Sequence, residues 1–306
     1  MLRTSLAAGL RGLRRRPRLV LLIYGMDLAL ALVLALPLFA LLEDTVGESG
    51  FGEELAAGFD VVLWADVIEK IGPALGALVA QLLWMIPLYL VWKTAARVGL
   101  VHALRGDHVR PFWQGVGRYT GRGVLLALLF LLPLLGLLVA VGMLIAVLAV
   151  VFSGEVGAFW LLFVLAPTLL LSGLAILDLM HDFARAALVV EDLPVRKAVR
   201  VGLRFPLRHG TASHLYILWF LPALVLLALP ALLEMSLPAA TGLGIWFLFA
   251  VQQVVLLARA AVTVGWIGSE VALYEAVWMR EAPLIATAAI EAPETAPGPA
   301  YGRTPA

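Results

Sequence analysis

The densest group of side chains able to do chemistry is Asp178, His181 and Asp182, followed by Arg185. At i, i+3 and i+4 the first three share one helix face, and Arg185 comes one turn later. Two carboxylates and an imidazole on one face suit a divalent ion or a proton relay. The same spacing suits an Asp182–Arg185 ion pair inside a polar seam. Asp27 is an acid within a long apolar stretch, where an ionised group costs roughly 2.5–3.5 kcal/mol at a helix centre. It is either a proton or ion ligand or the partner of Arg97 or Arg259. Gln81, Gln252 and Gln253 also lie mid-stretch, and either hydrogen-bond between helices or line a polar path. No HExxH, GxSxG, phosphate-loop or dinucleotide pattern occurs and there is no cysteine, so no catalytic residue, cofactor or metal is assigned.

The elements that must hold these residues are apolar. The chain has 306 residues, 62% of them hydrophobic and 14% charged, with a mean hydropathy of +0.99. Soluble domains carry about 45–50% apolar and roughly 25% charged residues. A soluble enzyme, a nucleic-acid-binding domain and a disordered chain are therefore excluded. Six stretches are long enough for a bilayer core of about 30 Å: 19–42, 71–92, 123–152, 158–177, 215–233 and 242–259. The first follows a basic flank, but its apolar run exceeds the 7–15 residues of a cleaved signal, so it is expected to be retained. The third would extend about 45 Å as a helix, which requires tilt, a kink at Pro133 or projection from the membrane.

Charge placement orients the chain. Of 22 lysines and arginines, all but Lys70 fall before the first stretch or after an even-numbered one. The positive-inside rule then puts both termini in the cytoplasm, with an acidic outer loop at 43–70. The expected location is the cytoplasmic (inner) membrane of a bacterium, multi-pass. Glu270 and Glu275 are expected at the cytoplasmic surface beyond the sixth stretch. The Ala-, Pro- and Thr-rich segment 282–306 is expected to be a disordered tail.

Even-numbered stretches end alike, in Ala96-Arg97-Val98, Ala184-Arg185-Ala186 and Ala258-Arg259-Ala260. Odd-numbered ones are led in by Gly12-Leu13-Arg14, Gly115-Val116-Gly117-Arg118 and Gly202-Leu203-Arg204. The fold class that follows is an all-α, six-span membrane domain over 1–281. It is built from three parallel helical-hairpin repeats (about 1–104, 105–193 and 194–281), each led in by a cytoplasmic amphipathic helix. In the first lead-in, Leu2, Leu6, Leu10 and Leu13 form an apolar stripe with Arg14 off it. In the third, Arg196, Arg200 and Arg204 recur every fourth residue beside Val195, Val199 and Leu203. Such helices lie in the interface and attract anionic lipid headgroups, each basic residue contributing about 1 kcal/mol. Membrane lipids are the expected partners, nucleic acid is not, and a protein partner or second copy fits the same surface.

Six spans, basic lead-ins and the sequence from His181 to Phe205 (HDFARAALVVEDLPVRKAVRVGLRF) resemble a loose group of uncharacterised prokaryotic membrane proteins. The group includes the membrane domain fused to some glycerophosphodiester phosphodiesterases. The likeness is sharpest at Asp182, Ala184, Arg185, Glu191, Asp192 and the helix from Pro194, and it implies a membrane domain of unsettled function, to which the phosphodiesterase activity of the fused soluble domain is not carried over. The leading functional expectation is a non-enzymatic scaffold, interaction or regulatory component at the lipid interface. The alternative is a transporter or lipid-translocating protein whose path runs along Asp27, Gln81, Asp178, Asp182, Gln252 and Gln253. A cavity touching Asp27 and the glutamines would favour it. An enzyme acting on lipid through Asp178, His181 and Asp182 ranks third.

Overall fold

The computed structural model describes residues 1–46, 85–105, 111–151, 159–236 and 242–291, with isolated positions between 62 and 83 and at 154 and 157. The chain is helical, with no strands among the described residues. In order the elements are α1 (Leu2–Arg15), α2 (Pro17–Val46), α3 (Met85–Leu104), α4 (Phe112–Val151) and α5 (Trp160–Val190). They are followed by α6 (Val195–Arg208), α7 (Gly210–Ser236) and α8 (Gly242–Glu291). The first turns of α5, Trp160–Leu165, are π-helical.

Among the described residues five helices are long and apolar enough to cross a membrane: α2, α4, α5, α7 and α8. Of the expected second span, 71–92, ten positions before Met85 lie outside the described residues, as does the outer loop apart from 43–46 and positions 62, 65 and 69; α3 carries that span's last part. α4 runs unbroken from Phe112, so the second unit has no separate lead-in helix. Pro133 lies inside α4, Pro37 inside α2, and Pro222 and Pro230 inside α7. α8 continues for 50 residues to Glu291, ten residues into the expected disordered tail, whose remainder from 292 lies outside the described residues.

Every long helix packs at its basic end and is bare at its apolar end. In α2, Val20, Ile23 and Met26 are buried, and no described residue beyond them is. In α4 burial stops at Phe130, in α7 at Trp219. The core joins Val98 and Leu100 of α3, Phe183 and Leu188 of α5, Leu215 of α7 and Val264 of α8. Leu132, Val139, Met143 and Val150 are among the apolar side chains left uncovered on α4. A surface of that extent is stable against lipid and not against water.

Three helix pairs make the most extensive contacts: α3 with the start of α4, α5 with α6, and α8 with α1. Glycine permits each approach. A Cβ at Gly202 of α6 would lie 2.5 Å from the Met180 carbonyl oxygen and collide with the Ala184 Cβ. One at Gly115 would meet His102, and one at Gly9 would meet Gly265 O and Ser269 Oγ. The docked face of α1 is thus centred on Ser5 and Gly9, with Leu2, Leu6 and Leu13 packed beside them. Leu10, expected in that apolar stripe, is exposed. Arg14, Arg196, Arg200 and Arg204 point outward.

Candidate functional site

The turn between α5 and α6 fixes the basic end. Asp192 takes a positive φ of 56°, which aspartate tolerates better than most residues. Pro194, with extended backbone, precedes the first turn of α6. The Asp192 carboxylate receives Arg122 Nη2 at 2.6 Å and also Arg118, both from α4. These two guanidinium groups, Arg122 foremost, hold the carboxyl below the ordinary aspartate range. Tyr274 of α8 donates to Glu191, and Arg105 of α3 approaches Glu275 at 3.7 Å. The short acidic turn therefore ties α5 and α6 to α4 and α8.

One turn deeper, Arg185 donates to Asp182 at 2.7 Å, and their side chains are only 3% and 7% exposed. Arg185 Nη2 is also 3.3 Å from His181 Nδ1, and the imidazole lies 4.9 Å from the Phe130 ring. Arg97 reaches in from α3, 3.7 Å from Asp178 and 3.6 Å from Asp182. Tyr216 of α7 donates to Asp178 at 3.1 Å. From α8, Glu270 accepts Trp266 Nε1 at 2.6 Å and adds a third carboxyl within electrostatic reach of Asp182 and both arginines. Nearby, Trp219 donates to Ser269 at 3.1 Å. Four helices so close an ionic network in which Asp182, Arg185 and Glu270 are buried and Arg97 and Asp178 are partly exposed. The Asp182–Arg185 ion pair that the spacing offers is formed, and Arg97 approaches the same carboxylate. No group of three metal-ligating side chains placed to hold an ion occurs among the described residues.

Asp27 is paired, but not with Arg97 or Arg259: Lys93 of α3 donates to it at 2.6 Å. Arg97 is engaged instead by Asp178 and Asp182. Gln253 accepts from Tyr24 at 2.8 Å, linking α8 to α2; Gln81 lies outside the described residues. Glu270, expected at the surface, is 4% exposed and takes its place beside Trp266 within reach of Asp182, Arg185 and Arg97. Its sequence signal was the small-residue run Gly265, Gly268 and Ser269, which marks a face for close helix packing. Lys93 and Tyr216 gave no comparable signal.

A cavity of about 570 Å³ lies beside the network, between α2, α3, α5 and α8. Its polar wall is made of Asp27, Lys93, Arg97, His181, Arg185 and Arg259. Asp178, Asp182 and Glu270 do not line it, nor do Gln252 and Gln253. A second cavity, of about 780 Å³, lies at the extreme basic end among Arg11, Arg15, Arg16, Arg105 and Glu275.

The fold and this site define an all-helical protein with membrane-like apolar helices and an ionic network at one end. No protein-family model, curated protein or solved structure matches the chain.

Proposed function

We propose that this is a non-enzymatic, multi-pass component of the bacterial cytoplasmic membrane, acting at the lipid interface as a scaffold or interaction module with both termini cytoplasmic. The observation that carries the reading is α6: its buried face seats on α5 while Arg196, Arg200 and Arg204 all point away from the bundle. α1 repeats the arrangement on α8, with Arg14 outward. Amphipathic helices held in this way offer a basic rim to anionic headgroups.

In this reading residues 71–92 form the second of six spans, and three hairpins share one origin. Two observations support the hairpins: the matched pairings of α1, α4 and α6 through Gly9, Gly115 and Gly202, and the convergence of Arg97, Arg185 and Arg259 on one cavity. The duplication is loose. Gly9 meets residues six and ten positions past Arg259, whereas Gly202 meets Ala184, one before Arg185. Transport is the second reading, favoured by the cavity touching Asp27 and weakened by the absence of Gln252 and Gln253 from its wall.

The chain lacks cysteine, so single cysteines can serve as probes. A spin label at Leu207→Cys, beside the basic stripe, is expected to sit deeper in vesicles containing phosphatidylglycerol than in pure phosphatidylcholine. Arg196→Gln, Arg200→Gln and Arg204→Gln together should abolish the difference. Equal aqueous exposure in both lipids would overturn the interface reading. An impermeant maleimide should reach Ser49→Cys from outside the cell and leave Thr4→Cys unlabelled.

A further inference from the structure

We propose that the cavity between α2, α3, α5 and α8 holds the phosphate of an anionic membrane lipid, with Arg97 and Arg259 as its ligands. This rests on the membrane reading above but on different residues from the outward arginines of α1 and α6.

The four cations of the wall are not equally occupied. Lys93 is committed to Asp27 at 2.6 Å, and Arg185 to Asp182 at 2.7 Å. Arg97 stands 3.6 and 3.7 Å from its carboxylates, longer than a hydrogen bond, and its side chain is 41% exposed. Arg259 is exposed and forms no ion pair among the described residues. Two guanidinium groups with donors to spare thus face one space. A planar fork of N–H donors is suited to bidentate recognition of phosphate oxygens. The acids that balance these charges, Asp178, Asp182 and Glu270, are outside the cavity wall, so the wall facing a ligand is cationic apart from Asp27.

The rest of the cavity selects a lipid over a soluble anion. Leu28, Leu30, Ala31 and Leu90 line it together with the arginines. Tyr89 and Leu90 of its lining are 43% and 55% exposed, so acyl-compatible surface borders the guanidinium groups. A headgroup phosphate with its first methylenes matches both walls, whereas inorganic phosphate would use only one.

The test uses the full chain purified in mild detergent, with bound phospholipid counted by native mass spectrometry during titration. Phosphatidylglycerol should be retained over phosphatidylcholine. Arg259→Gln should weaken its retention about tenfold, the effect of losing one charged hydrogen-bond partner. Arg97→Gln should do the same, while Arg204→Gln on α6 leaves this site unchanged. Because Arg259 has no ion pair to lose among the described residues, its variant decides the matter even if Arg97→Gln misfolds. Unchanged phosphatidylglycerol retention in Arg259→Gln would overturn the site. Inorganic phosphate displacing the lipid at millimolar concentration would show a soluble ligand and overturn the lipid assignment. Failure of the Leu207 probe experiment would not alter this count, and loss of the site would not alter that probe's depth.

Discussion

Residues 162–178 and 182–190 belong to one uninterrupted helix, α5, and both stretches are dominated by apolar side chains. Not one residue of the first stretch is buried, and every residue of the second is. The same division recurs in α2, α4 and α7, so it is a property of the molecule and not of one helix. Side-chain apolarity cannot produce it, since Leu171 and Leu188 are chemically alike and only Leu188 is enclosed. What differs is the company: the enclosed charges and most of the close glycine contacts are at the buried end. Gly202, Ala184, Gly265 and Gly9 let helices approach, and Asp182, Arg185 and Glu270 are enclosed with partners. In the bare half Gly173 still packs on Leu137, but such contacts leave no side chain of 162–178 buried.

The sharpest way to break this contrast is at Asp182. Replacing it by Asn leaves the Arg185 guanidinium, 3% exposed, without its close carboxylate. Removing one partner of a buried pair costs about 3–5 kcal/mol. Thermal unfolding in detergent should register that loss, whereas Leu132→Ala at the bare end of α4 should change stability by about 0.5 kcal/mol or less. Equal losses at the two positions would mean that the ends are not differently packed.

Glycines sharpen the same contrast at smaller magnitude. Gly202→Val must push α6 off α5 because its Cβ has no room beside Met180 and Ala184, an overpacking cost of about 1–3 kcal/mol. Gly136, in the bare half of α4, has nothing within 4 Å of an added Cβ. Gly136→Ala should therefore stabilise its helix by about 0.5–1 kcal/mol. Opposite signs for two glycine substitutions, read from the same unfolding assay, are the expected outcome.

Much of this was legible before any coordinates. Hydropathy located the five long helices because lipid-facing surface leaves an uninterrupted apolar record, and the Asp182–Arg185 spacing sufficed for their pair because both lie on one helix. Pairings between helices were not legible. Asp27 was assigned to Arg97 or Arg259, although Lys93 lies one turn before Arg97, since sequence does not set the relative depth of two helices. Glu270 reads as a surface residue because its burial depends on α3 and α5, whose Arg97, Asp182 and Arg185 lie within electrostatic reach of it although they are 85 or more positions away in the chain. Leu10 was counted into the apolar stripe of α1 because periodicity alone does not reveal that Ser5 and Gly9 centre the contact. The repeated arginines were legible as a pattern, but their convergence on one cavity needed the fold.

The smallest expected effect lies at the rim, where the packed end meets water. Asp192 accepts from Arg122 and Arg118, and its carboxyl is held below the ordinary value chiefly by the Arg122 hydrogen bond. A carboxyl depressed in the folded state binds its proton more readily in the unfolded chain, so stability rises with pH across that interval. The contribution is complete above the unfolded value of about 3.9 and is lost as pH falls through the lower folded value. The melting-temperature difference between wild type and Asp192→Asn should be steady from pH 7 to 5 and shrink below about pH 4. Because the pair is partly exposed, 0.5 M salt should also diminish the difference. The Asp182→Asn difference should keep most of its size in that salt, since an enclosed pair is screened far less. If both differences responded to salt alike, the ionic network would be as open as the rim, and the division between a packed end and a bare end would need to be redrawn.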